Sequence, residues 1–235
     1  MSPLQVNLAV DPNLDYDSTA YKVAYSRLNG VFITGEQEAY NNYLRLAEML
    51  PQHRTSLLAA ARVERRHQRG FQSCGRRMGI KADRGWAEDV FAELRDRFTA
   101  AADRGQLVPC LLIQALVVEC LAIATYNAYL PVADEFSREV AEAVIQDEYQ
   151  HLNFGQTWFQ EQFETVKADI QAASQSILPI ARTILTRMGQ DAARLGIDLE
   201  TLEEEFTIHY GEALEAIGFS FQEVSGMSAD GAIAA

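Results

Sequence analysis

The sequence predicts an all-α protein built on a bundle of four helices with additional helices beside it. Three observations carry that expectation. Apolar residues recur at intervals of three and four along nearly the whole chain, alternating Val/Ile/Thr-rich strand segments are missing, and the interruptions are short and punctuated by Pro, Gly or Asp. The first helix is expected over 18–50; Gly30 and Gly35 interrupt its pattern at about 1 kcal/mol each, so a kink or a close helix contact is expected there. "MLPQ" around Pro51 ends it, and a second helix follows over 52–78. "GIKADRG" separates that from a helix over 84–103, "ADRGQLVP" leads into 107–130, and "YLPVAD" around Pro131 precedes 133–163. Further helices are expected over 165–188 and 199–217. No linker divides the chain, so residues 1–235 are read as one domain, with 1–17 and 226–235 as flexible ends.

Composition narrows the function classes. The chain is 48% apolar and 23% charged, as in an ordinary globular protein. Thirty-three acidic against twenty basic residues give a net charge of −13, which argues against nucleic acid or an anionic membrane surface and leaves a basic protein partner open. Three cysteines, Cys74, Cys110 and Cys120, with no C-x-x-C spacing suggest core residues rather than a disulfide framework or a thiolate zinc site. With no basic and then apolar leader at the start, a cytoplasmic location is expected. The run "LVPCLLIQALVVECLAIATYNAYLPV" at 107–132 is long enough to span a membrane. Glu119 in its middle, Gln114 and Asn127 beside it, and the lack of a second such run point instead to a helix buried on all sides, and not to an integral membrane protein.

Two stretches, "VERRHQRGF" and "DEYQHLNFG", each place a histidine three residues after a glutamate, which projects both from one helical face. Their position relative to the turns says more. Glu36 lies 14 residues before Leu50 and Glu64 lies 14 residues after it, so a hairpin turning at "LPQ" brings both carboxylates to one height, about 20 Å from the turn at ~1.5 Å per residue. Glu119 and Glu148 bracket "LPVADEF" in the same way. The chain thus carries one device twice, Glu36, Glu64 and His67, then Glu119, Glu148 and His151. This is the donor set of ferritin-like di-metal carboxylate bundles. Four buried carboxylates are prohibitive alone, whereas two divalent ions balance their charge, and mixed carboxylate and imidazole donors suit iron or manganese. Taken singly, a buried Glu or His is an ordinary satisfied core residue; two matched halves are not. Asp147, beside Glu148, is placed to accept an imidazole N–H from the opposite helix, while Val63 stands at the matching position of the first half and leaves His151 without an evident orienting partner. His53 and His209 are read as surface or packing residues.

"GEQEAYNNYLRLAEMLP", "ERRHQRGFQSCGR", "LLIQALVVECLAIATYNAYLPVADEFSREV" and "DEYQHLNFG" resemble the cyanobacterial aldehyde-deformylating oxygenases, or aldehyde decarbonylases, from about Tyr21 to Trp158. The resemblance implies a ferritin-like fold and a non-haem centre of two iron ions. It implies conversion of long-chain fatty aldehydes to alkanes one carbon shorter plus formate, with dioxygen as co-substrate and electrons from a ferredoxin-type donor. A further implied partner is the acyl carrier protein reductase that makes the aldehyde. The metal ligands and catalytic residues would be Glu36, Glu64, His67, Glu119, Glu148 and His151, with Glu64 and Glu148 bridging and Glu36 and Glu119 terminal. Thr34 and Arg65 depart from the family's pattern and bear on rate or chain-length preference. An apolar tunnel is required for the substrate, and Ala115, Ala122, Ile123 and Tyr126 on the most apolar helix are its candidate lining. A ferritin- or rubrerythrin-like iron-oxidising or storage protein is the alternative, and a radical subunit with Tyr126 or Tyr40 near the metals is a more distant one.

Overall fold

A computed structural model of the protein describes residues 15–233. Helix α1 (Thr19–Met49) opens on Ser18, whose hydroxyl accepts the Tyr21 N–H, and a single 3-10 turn at Pro51–His53 returns the chain into α2 (Arg54–Met78). Gly79, in the left-handed region at φ 66°, closes α2. Two short helices, α3 (Arg84–Val90) and α4 (Ala92–Asp103), follow, where one helix over 84–103 was expected; the chain bends at Phe91, which is buried. Next come α5 (Leu107–Leu112), a π turn over Ile113–Val118, and α6 (Glu119–Tyr129). The long α7 (Glu135–Arg194) is capped by Asp134, and α8 (Leu199–Ile217) and α9 (Phe221–Ile233) complete the chain. The four-helix frame is α1 and α2 as one hairpin, and α5–α6 with the first half of α7 as the other. No strand occurs among the described residues.

The continuity of α7 departs from the sequence expectation, and the cause is physical. No break separates 133–163 from 165–188: the stretch around Glu164 holds neither Gly nor Pro, so α7 runs on for 60 residues. Pro179 sits inside α7 and leaves the Gln175 carbonyl without its helical donor, a loss that water can offset because Gln175 is exposed. The glycines of α1 do not break it. Gly30 meets the loop before α3 instead: a Cβ there would lie 2.6 Å from the Asp83 carbonyl oxygen, and the Asp83 N–H donates to the Ser26 carbonyl nearby. Of the ends expected to be flexible, 1–14 and 234–235 lie outside the described residues, 15–17 form a turn, and the backbone of 226–233 is helical.

The apolar run at 107–132 is a core element. Its most apolar window is 78% buried, and Cys110, Leu111, Leu112, Ala115, Leu116, Val117, Cys120, Ile123 and Ala124 are each 0% exposed. Its π turn inserts one extra residue per turn, so side chains five apart share a face. The widened turn presses against α7 at Gly155, where a Cβ would lie 2.4 Å from the Ala115 carbonyl oxygen and 2.8 Å from its Cβ. No side chain fits between them.

Gly155→Ala is therefore expected to destabilise the protein by about 1–3 kcal/mol through overpacking, lowering the melting temperature by roughly 2–12 °C. Gly226→Ala on α9, with nothing within 4 Å of its added Cβ, is expected to be neutral or slightly stabilising. Thermal melts of the two variants beside the parent protein check this, and equal melting of all three would refute the tight contact.

Candidate metal centre

The two hairpins bring their glutamates and histidines to one level in the bundle. Glu36 from α1, Glu64 and His67 from α2, Glu119 from α6, and Glu148 and His151 from α7 are all buried, none more than 8% exposed. They form two groups of four: Glu36, Glu64, His67 and Glu148, and Glu64, Glu119, Glu148 and His151. Within each group the donor atoms lie within 4.8 Å of one another, and Glu64 and Glu148 belong to both. In the first, His67 Nδ1 stands 3.3 Å from Glu36, 3.3 Å from Glu64 and 3.2 Å from Glu148. In the second, His151 Nδ1 stands 2.8 Å from Glu64, 3.0 Å from Glu148 and 3.7 Å from Glu119.

His151 Nδ1 and Glu148 Oε2 form a hydrogen bond at 3.0 Å, but the contacts of Glu64 and of His67 Nδ1 are close without being aligned as hydrogen bonds. Both Glu64 oxygens and His67 Nδ1 are fully buried and lack a hydrogen-bond partner, even though Glu64 Oε1 lies 2.8 Å from His151 Nδ1. Buried polar atoms are nearly always satisfied, so orphaned donors converging on one point fit a cation between them. Four carboxylates against two neutral imidazoles leave a charge that two divalent ions balance.

The electrostatics describe the same need. Burial and the neighbouring Glu148 charge push Glu36 well above the usual carboxylate range, and burial pushes Glu119 up to about 7. Burial acts the same way on Glu64 and Glu148, but their contacts with His151 and His67 outweigh it and hold both carboxyls low. Burial alone would lower the two imidazoles; the surrounding carboxylates instead raise His67 and His151 far above the ordinary histidine range.

Surrounding side chains hold the donors in place. Asp147 Oδ2 lies 3.0 Å from His67 Nε2 and accepts from Arg66 at 2.6 Å, which turns Nδ1 inward and lowers the Asp147 carboxyl against the effect of burial. The Tyr126 hydroxyl donates to Glu36 Oε1. Tyr43 donates to Glu119 Oε1 at 2.5 Å, and so does Gln114 Nε2 at 2.9 Å, with Asn42 Nδ2 supporting Gln114 at 2.9 Å. Sequence reasoning missed Tyr43, Gln114 and Asn42. Tyr43, seven residues after Glu36 on one helical face, could have been found by spacing. Gln114 could not, because its five-residue offset from Glu119 reaches that carboxylate only across the π turn.

An apolar cavity opens on the carboxylates. It is narrow, with about 40 Å³ of free space, and Glu36, Glu64, Glu119 and Glu148 form its polar end. Val31, Phe32, Phe91, Leu121, Ile184 and Met188 line much of the remainder. Ala122 and Tyr126 belong to the lining, whereas Ala115 and Ile123 lie outside it, the first against Gly155 and the second in the core. Thr34 is buried without a partner for its hydroxyl, and the Arg65 guanidinium lies over the Tyr40 ring. His53 and His209 pack against Phe154 and Tyr149. Burial pushes the Cys74, Cys110 and Cys120 thiols up, which leaves them poor nucleophiles.

The model of the long-chain fatty aldehyde decarbonylase family matches residues 18–233. A solved structure described as protein 19 with aldehyde deformylating oxidase activity, from Synechococcus, superposes with a TM-score of 0.91 at 38% identity, over 92% of this chain and 99% of that one. By both measures this chain belongs to the long-chain fatty aldehyde decarbonylase family.

Proposed function

We propose that this protein converts long-chain fatty aldehydes to alkanes one carbon shorter plus formate, using two iron ions, dioxygen and electrons from a ferredoxin-type protein. The observation that carries the reading is the cavity: an apolar channel whose polar end is formed by the carboxylates of both four-residue groups. An aldehyde with a long alkyl tail has the matching polarity, one polar end on an apolar body. A storage protein needs the carboxylates but has no use for the chamber.

In this reading Glu36 and His67 would hold one ion and Glu119 and His151 the other, with Glu64 and Glu148, which belong to both groups, shared between them. The bound iron pair supplies the redox chemistry that activates dioxygen beside the aldehyde. The chain's own residues do the rest. The apolar walls take the alkyl tail and keep water from the reacting carbonyl, which the carboxylate end of the cavity receives. Tyr126 and Tyr43 are buried, and their phenol protons stay in place because burial and the adjoining glutamates raise both hydroxyls far above the usual range. Each phenol therefore remains a donor to its carboxylate, Tyr126 to Glu36 and Tyr43 to Glu119. Asp147 keeps His67 in the orientation that points Nδ1 at the centre. In the overall balance, aldehyde, dioxygen, four electrons and four protons give alkane, formic acid and water, so electrons must arrive from outside.

Replacing His67 or His151 with Ala is expected to remove most bound iron while leaving the helical content intact, because the hairpins are held by apolar packing. Full iron content by elemental analysis in either variant would refute the ligand assignment. Asp147→Asn, which keeps the shape and loses the charge, is expected to weaken iron binding by about 10–100-fold in a chelator competition. Unchanged affinity would show that Asp147 does not orient His67.

Ala122→Phe tests the channel. The substitution narrows the cavity one turn from Glu119 and leaves every metal donor in place, so long aldehydes should lose turnover strongly and short ones such as heptanal much less. A loss equal at every chain length, with a stability loss of about 1–3 kcal/mol, would mean that Ala122 serves helix packing instead. Turnover across an aldehyde series, with iron content and melting recorded alongside, separates the two.

A further inference from the structure

Helix α2 runs against the charge of the whole molecule. In a chain of net charge −13 it carries seven arginines, Arg54, Arg62, Arg65, Arg66, Arg69, Arg76 and Arg77, and one acid, the buried Glu64. At 3.6 residues per turn all seven fall within an arc of about 140°, while Glu64 and His67 point the other way. All seven are exposed. Among the described residues only Arg66 has a carboxylate partner, Asp147; Arg65 and Arg77 lie over the rings of Tyr40 and Phe136, and Arg76 donates to Ser73. Arg62, Arg65, Arg66 and Arg69 stand three and four apart, a spacing at which like charges destabilise a helix. Helix stability therefore gives no reason for the array, and only Arg76 and Arg77, in the last turn, benefit from the helix dipole. The array spans about 35 Å at ~1.5 Å per residue.

The ridge is also joined to the centre. Arg66 donates to Asp147 at 2.6 Å, Asp147 meets His67 Nε2 at 3.0 Å, and His67 Nδ1 faces Glu36, Glu64 and Glu148. One helix, about 10–12 Å across with its side chains, separates the surface from the site. We infer that the arginine ridge of α2 is the docking face for a small acidic one-electron carrier protein, and that Arg66, Asp147 and His67 connect it to the metal centre. This rests on the reading of the centre as a redox site fed from outside. The carrier gives up one electron per encounter and is itself oxidised; four encounters satisfy the balance of the reaction. Charge complementarity selects the partner. A carrier of negative charge is repelled by most of this protein's surface and attracted to the ridge, which favours productive orientation in the encounter.

The test uses iron-loaded protein without aldehyde, mixed in a stopped-flow with a reduced acidic [2Fe–2S] protein, while the carrier's absorbance reports electron transfer at several ionic strengths. Arg62 and Arg69 are exposed and hold no metal donor, so Arg62→Glu/Arg69→Glu leaves the centre intact. The double variant is expected to accept electrons at least about tenfold more slowly at low salt and to lose most of the salt dependence of the parent. Binding of the oxidised carrier to iron-free protein, followed by calorimetry, should weaken in parallel. Reduction by a small uncharged reductant should be unchanged, as should transfer from the carrier to an Arg97→Glu control on α4. Equal rates and salt dependence in parent and double variant would overturn the inference. So would a parent protein that takes no electrons from the carrier, an equal loss with the small reductant, or a variant that loses only binding to anionic vesicles. Failure of the aldehyde reading shows separately, as carrier-driven reduction of the centre without alkane or formate once aldehyde is added.

Discussion

Four carboxylates buried within reach of one another cannot all be ionised unless positive charge is placed among them, and much of the molecule is arranged around that constraint. An isolated ionised carboxylate in an apolar interior would neutralise itself by taking up a proton. The protein tolerates four because His67 and His151 stand among them, because Tyr126, Tyr43 and Gln114 donate to the outer pair, and because the inner oxygens of Glu64 are left to a cation. The division is consistent: Glu36 and Glu119, each satisfied by a phenol, belong to one group apiece, while Glu64 and Glu148 belong to both. The rim glutamates have phenol partners, while both oxygens of Glu64, at the middle, have no hydrogen-bond partner.

The π turn belongs to the same arrangement. A regular α-helix through Ile113–Val118 would turn Gln114 away from Glu119, because only a five-residue repeat stacks them. The extra residue aligns them, and the widened turn lies against Gly155 on α7, where an added Cβ would have no room. Thus a missing side chain on one helix and an added residue on another meet at one place, and the result is a hydrogen bond to a buried glutamate. Ala115, which reads in the sequence as a candidate for the substrate channel, serves this contact.

What the sequence made legible follows from range. The donors of the centre were readable because two hairpins with turns marked by proline convert spacing into height, and Glu-x-x-His converts spacing into a shared face. Asp147 was readable for the same reason, by adjacency to Glu148. The channel was only half readable: Ala122 and Tyr126 line it, but Phe91, Ile184 and Met188 come from segments whose approach depends on how α3, α4 and the second half of α7 fold back. The continuity of α7 was missed because periodicity fades where a helix changes the neighbour it packs against, although nothing in the backbone chemistry ends it there. The π turn was missed because the contact it makes lies across the bundle, at a glycine forty residues away.

Helix α2 shows how a single stretch can satisfy two opposite electrostatic demands. Its inward face holds Glu64 and His67 in a site crowded with negative charge, while arginine is the only charged residue type on its outward face, and the pattern separates them by helical angle. Arginine rather than lysine fits such a surface. The guanidinium is weakly hydrated and planar, so one edge can serve Asp147 while another remains for an incoming carboxylate, and the same plane can lie over Tyr40 or Phe136 without losing its charge. A protein that repels acidic partners over most of its surface and attracts them along one ridge would release a carrier as readily as it receives one. On the proposed reading, rapid exchange of this kind suits a centre that takes four single electrons for every turnover.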